Sequence, residues 1–273
     1  MPEEPQENIS GGETASTAAR FTTSEAETRA EAVVNDLGER YWQKTYGGTN
    51  AFESLVRTIL SQNTSDVASQ PAHDALMERY GADDSDADHD LAAALASAEQ
   101  SALAETISSA GLYNQKSSMI IGAAERICDE YGGADEFGAF VREEPATAVR
   151  EALLDIHGVG PKTADCVLLF AGGRDGVFPV DTHVHRIARR MGLAPADADH
   201  EAVREHLEAD IPGEKCGFGH TAMIQFGREF CSAREPACLD DPEACPLYDH
   251  CDRVGVSPES GAVVDPSKGA AEE

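Results

Sequence analysis

Positive charge is what this sequence has least of. Against 50 acidic residues stand only 21 lysines and arginines, a formal net charge of −29. Taken alone, that excess argues against an anionic partner such as nucleic acid, which acidic surfaces repel. Two explanations compete: cationic partners, or a cytosol of molar salt in which acidic surfaces stay solvated. At about 1 M salt the Debye length is ~3 Å, so long-range repulsion is largely screened. The acids are spread along the chain, in runs at 83–90, 197–203 and 239–244, rather than packed into one tail. Salt adaptation is the expectation that fits this spread. Long apolar runs are missing too, so no segment is read as spanning a membrane. The N-terminus has no apolar stretch following positive charge, which argues against a secretory signal. A cytosolic protein is expected. Seven cysteines, an odd number, do not suggest a disulfide framework.

Strand-like alternation and internal repeats are likewise absent, which leaves an all-α chain with short loops. Residues 1–24 have tail composition and are expected to be disordered. Val33, Val34, Leu37, Tyr41 and Trp42 fall at helical spacing, with Gly47-Gly48 as the stop and Trp42 as a core anchor. Phe52, Leu55, Val56, Ile59 and Leu60 form the next amphipathic stripe. It ends in the polar cluster Ser61-Gln62-Asn63-Thr64-Ser65-Asp66, read as a surface loop before a helix over 67–80. An acidic connector covers 81–90, and helices are expected near 91–98, 101–110 and 117–131. From Ser257 onward tail composition returns.

The informative stretch runs from Leu153 to Met191. A helix over 146–156 is followed by His157-Gly158-Val159-Gly160, where two glycines permit positive φ and close backbone approach. Pro161 suits the first position of a second helix. Backbone N–H groups at such a turn suit a phosphate oxygen, although an ordinary helix–helix turn has the same pattern. Lys162 stands in the first turn of that second helix, where the dipole disfavours a cation and favours a neutral, nucleophilic amine. A phosphate-contacting lysine is the competing reading. Asp181 is placed to cap the next helix, and a cap holds a carboxylate rigidly. Behind it His183, His185, Arg186, Arg189 and Arg190 form a basic island, read as a phosphate-facing surface. Four cysteines follow with spacing Cys231-x6-Cys238-x6-Cys245-x5-Cys251, which by itself suits either an iron–sulfur cluster or zinc. Cys128, Cys166 and Cys216 lack ligand spacing and read as buried apolar residues.

The sequence GVGPKTADCVLL at 158–169, with VDTHVHRIARR at 180–190, resembles the helix-hairpin-helix DNA glycosylases, most closely their endonuclease III group. LSQNTSD at 60–66, GLYNQK at 111–116 and the cysteine segment extend the resemblance over roughly 25–253. It implies a six-helix barrel over 50–174 and a second helical domain, from 25–49 and 175–255, carrying a 4Fe-4S cluster on Cys231, Cys238, Cys245 and Cys251. Tails would cover 1–24 and 256–273.

By the same resemblance the partner is double-stranded DNA with a damaged base or abasic site, bound by a monomer. Lys162 would attack C1′ of a flipped nucleotide and leave a Schiff base. Asp181 would stabilise the charge developing on the sugar. Glycosylase-only relatives carry Tyr or Ser at the place of Lys162, so the lysine points to the lyase branch. Gln62 matches the residue that fills the gap left by the flipped base, and Leu112 the wedge; Gly158, Gly160, His183 and Arg186 complete the expected DNA contacts. The implied activity is removal of oxidised pyrimidines such as thymine glycol. A mismatch uracil or thymine glycosylase and a non-catalytic DNA-binding protein are the alternatives. Two departures stand out. The middle cysteine gap carries four extra residues, within 239–244. The loop between the first two cysteines, basic in relatives, here reads Ser-Ala-Arg-Glu-Pro-Ala.

Overall fold

The computed structural model describes residues 25–42, 50–64, 66–81 and 89–269, and the backbone of Glu7 and Asn8. The expected 1–24 tail, the stop at Gly47-Gly48, most of the acidic connector and the side chain of Trp42 lie outside that set. The chain divides into two compact units, one of residues 46–174 and one of 1–45 with 175–273.

Both units are helical. In chain order the helices are α1 (Arg29–Arg40), α2 (Ala51–Ser61), α3 (Asp66–Tyr80), α4 (Leu91–Ala96), α5 (Gln100–Thr106), α6 (Tyr113–Tyr131), α7 (Ala134–Glu143), α8 (Ala146–Leu154), α9 (Pro161–Phe170), α10 (Thr182–Met191), α11 (His200–Asp210), α12 (Gly213–Glu229) and α13 (Pro266–Gly269). Expected boundaries shift at α1, which ends at Arg40: Tyr41 is extended at φ −115° and its hydroxyl donates to Glu229 Oε2 at 2.7 Å. That tertiary bond overrides the helical spacing of Tyr41.

In the 46–174 unit α2 is the central helix. Asn50 caps it through Oδ1, which accepts from Phe52 N and Glu53 N. Its apolar positions recur on a broad face, and Phe52, Leu55, Val56, Ile59 and Leu60 are fully buried against α9, α3, α7 and α6. The hairpin that follows α8 is therefore mounted on the core through α9, whose Ala164, Val167 and Leu168 are buried.

In the other unit α12 packs on α1 and α10 around Val33, Val34, Leu37, Val184, Ile187 and Phe226. An ion pair is sealed beneath α1: Lys215 Nζ donates to Glu31 Oε1 at 2.6 Å and to Asn35 Oδ1 at 2.8 Å. The stretch expected as a tail from 256 is built into the structure as far as Gly269. Val256–Ser257 pairs antiparallel with Ala262–Val263, and Asp265 bonds Arg189 at 2.5 Å. Composition alone missed that anchor, because it depends on an arginine 76 residues away.

Candidate active site

The turn between α8 and α9 is closed by Val159 N donating to Ile156 O at 3.0 Å. Its two glycines do different things. Gly158 has φ +85°, and a Cβ there would lie 2.3 Å from Met119 Cε. Gly160 is extended at φ −97°, so the expectation of positive φ holds for Gly158 only. A Cβ at Gly160 would meet open space. Pro161 opens α9 at its first position, and no side chain caps that helix end, so its first-turn N–H groups have no side-chain acceptor. Lys162 follows at the second position, half-buried. Among the described residues its amine has no hydrogen bond or ion pair. An Arg150–Asp165 pair at 2.7 Å ties α8 to α9 and steadies the hairpin.

Two further loops belong to the same unit. Gln62 Nε2 donates to Gly158 O at 3.0 Å and to Thr163 Oγ1 at 3.1 Å, so the structure brings Gln62 onto the hairpin. Leu112 leads into α6 at φ +46°, a left-handed conformation uncommon for leucine, and is 56% exposed. Exposure on that scale separates Leu112 from the core residue it could equally have been. Asn63, beside Gln62, is likewise left-handed at φ 51°.

In the other unit Asp181 caps α10: its Oδ1 accepts from His183 N at 2.9 Å and Val184 N at 2.8 Å. Its Oδ2 has no bond among the described residues. His183 is half-buried, and burial lowers its pKa below the ordinary histidine value. Arg186 reaches Cys231 O through Nε at 3.2 Å and Nη2 at 2.8 Å, so most of its donors are committed inside the unit. The basic island is not a surface as a whole. Arg189 and Arg190 are 6% and 2% exposed and bond internal groups. Their clustering with other basic residues in an acidic sequence pointed them outward, but acceptors on the cysteine segment and at Asp265 draw them in.

Cys231, Cys238, Cys245 and Cys251 line one small apolar pocket, walled by Phe226, Phe230 and Leu247. Burial raises the Cys238 thiol and pushes Cys245 to about 11 and Cys251 to about 12. Arg190 Nη1 stands 3.3 Å from Cys231 Sγ. Within 239–244, the stretch expected to hold the four extra residues, Pro242–Ala244 forms an exposed turn capped by Asp241.

The model of the HhH-GPD superfamily of base excision DNA repair proteins matches residues 56–212. Endonuclease III of Thermotoga maritima is 30% identical over 222 residues, covering 81% of this chain and 92% of its own length. The chain belongs to the HhH-GPD superfamily. Within it the likeness is to the endonuclease III type, and the protein is a base-excision-repair DNA glycosylase. Endonuclease III of Bacillus subtilis is 31% identical over 74% of this chain and 81% of its own. A solved trapped covalent endonuclease III–DNA intermediate matches with TM-score 0.61 and 29% identity, over 77% of this chain and 86% of that one. A thermostable thymine-DNA glycosylase superposes at TM-score 0.65 over 82% of this chain and 96% of that one; at 22% identity that likeness speaks to the fold alone.

For this HhH-GPD protein, sequence reasoning overlooked Lys116 as a residue in its own right. It is 2% exposed and bonded to Leu60, Thr64 and Ala110, beside the loops that carry Gln62 and Leu112. The only signal was its place in the GLYNQK motif. Arg190 was noticed, but as surface charge.

Proposed function

We propose that this glycosylase is bifunctional, removing oxidised pyrimidines of the thymine glycol type and nicking the abasic strand through Lys162. The neutral Lys162 amine attacks C1′ of a nucleotide turned out of the duplex. The C1′–N bond breaks, and the base departs with the electron pair and gains a proton. Loss of the amine proton and opening of the sugar give a Schiff base at C1′. Removal of a C2′ proton then expels the 3′ phosphate by β-elimination, and water releases the lysine. Asp181, with Oδ1 fixed by the α10 cap, turns its other oxygen to the positive charge developing on the sugar. Gln62 fills the vacated stack and Leu112 wedges it open, while the uncapped start of α9 and Gly160 receive phosphate oxygens.

The observation that carries this reading is the Lys162 amine, half-buried and unpartnered at a helix start where an ordinary fold favours an acid. Borohydride should trap the protein on abasic DNA. Lys162→Ala should abolish the adduct. Asp181→Asn keeps an equally good cap, so it should leave the melting temperature unchanged while slowing excision. An adduct of undiminished yield with Lys162→Ala would overturn the assignment.

Four thiols, those of Cys231 and Cys238 buried and those of Cys245 and Cys251 half-buried, around an apolar pocket suit a 4Fe-4S cluster. A single zinc ion needs its four sulfurs about 2.3 Å from one point. Among the described residues no three His, Cys, Asp or Glu side chains are set to hold one ion. When bound, the cluster supplies a cross-link that fixes the 231–251 segment, and no bond-breaking step. Protein reconstituted with iron and sulfide should absorb broadly in the visible; stoichiometric zinc without that absorbance would refute the cluster.

A further inference from the structure

Gln62 lies just after α2 and Leu112 just before α6; the bond from Thr64 N to Ser61 O and the Gln62 bonds to the hairpin hold the first loop in part. Asn63 at φ 51° and Leu112 at φ 46° are both left-handed without being glycine. Such residues are strained and persist only where the surroundings over-determine them. The surroundings here converge on one side chain. Lys116 Nζ donates to Leu60 O at 2.7 Å and to Thr64 Oγ1 at 2.6 Å, on either side of Gln62. Its third bond goes to Ala110 O at 2.9 Å, two residues before Leu112. Thr64 Oγ1 in turn donates to that Ala110 oxygen at 2.5 Å. All three ammonium protons therefore have acceptors: one in the last turn of α2, one in the loop that carries Gln62, and one at the residue before the Gly111–Leu112 loop.

Burial makes this arrangement costly, and it pulls the Lys116 amine below the ordinary lysine range. An apolar residue of similar volume would fill the same space without that desolvation cost. Packing alone does not call for an ammonium here; fixing one geometry of two loops does.

We propose that Lys116 is a positioning residue that locks the Gln62 loop and the Leu112 loop into a single rigid probe, so that wedging and gap filling happen together when a duplex is opened. The proposal rests on the glycosylase reading above. Lys116 touches no reacting atom; it acts through Gln62 and Leu112.

Lys116→Met and Thr64→Val test it. The second keeps the buried amine and removes one acceptor and the relay to Ala110. Duplex opening is read by 2-aminopurine fluorescence opposite a tetrahydrofuran abasic analogue at saturating protein. Excision is read in single turnover on a duplex with one thymine glycol, and borohydride trapping on an abasic single strand measures chemistry that needs no opening. A misplacement on the order of 1 Å costs about 10²-fold. The ratio of duplex excision to single-strand trapping should fall by about that factor in Lys116→Met, with slowed opening, and by less in Thr64→Val. If Lys116→Met does not fold by circular dichroism, Thr64→Val decides. An unchanged ratio and unchanged opening in a folded variant would overturn the proposal, as would equal losses in duplex excision and single-strand trapping. Failure of the wild type to excise or trap would instead strike the glycosylase reading, and the fluorescence arm would still decide the coupling.

Discussion

The two hairpin glycines look equivalent in the sequence but are required for different reasons. At Gly158 both the positive φ and the approach of Met119 forbid a side chain. Gly158→Ala should destabilise the fold by about 1–3 kcal/mol, as overpacking does, and the melting temperature will show it. At Gly160 neither restriction applies, because the backbone is extended and the space is open. Gly160→Ala should melt with the wild type yet bind abasic-analogue duplex more weakly, its methyl group standing where a phosphate is proposed to approach. Equal stability losses in both variants would mean that Gly160 serves the fold instead.

At the scale of elements, the sealed pair between α1 and α12 is the clearest source of acid sensitivity. The Lys215 hydrogen bond, aided by Glu27 N–H, holds the Glu31 carboxyl below its ordinary value despite burial. A carboxyl with a depressed folded value contributes stability that is complete above its unfolded value, near 4.3. That contribution is lost as pH falls through the folded value. Glu31→Gln should therefore lose stability at neutral pH and show a flatter acid limb in unfolding midpoints between pH 6 and 3. A limb of unchanged slope would place the acid sensitivity elsewhere. The elements themselves were legible where spacing is strong, as in α2, and where a cap residue announces a start, as at Asp181. Boundaries set by a distant partner were not. Tyr41 leaves α1 for Glu229, and Asp265 anchors the expected tail to Arg189.

For the whole molecule the excess of acid is the dominant property. Between the first two cysteines, Arg234 is exposed beside exposed Glu235, where relatives are expected to carry several bases. Salt adaptation would account for both features, since a protein with few ionic contacts to phosphate loses little affinity to added salt. Each absent contact removes ~0.9 from the slope of log affinity against log salt. The measured slope should therefore be shallower than that of the Bacillus subtilis relative, with excision and folding retained in molar KCl. A slope as steep as that relative's, or full stability in dilute buffer, would contradict the adaptation. Among the described residues no helix is long and apolar enough to cross a membrane.

The sequence by itself determined the all-α class, the hairpin, the cap at Asp181 and the grouping of four cysteines. These depend on local spacing, on residue types with narrow backbone preferences, or on motifs read in order. Tertiary structure alone decided which charges are buried. Arg189 and Arg190 read as phosphate-facing and Lys116 and Lys215 carry no local sign of burial, yet each is drawn inside by carbonyl, hydroxyl or carboxylate oxygens distant in the chain. No local pattern encodes such a partner, because a buried cation is tolerable only once the fold has brought its acceptors together.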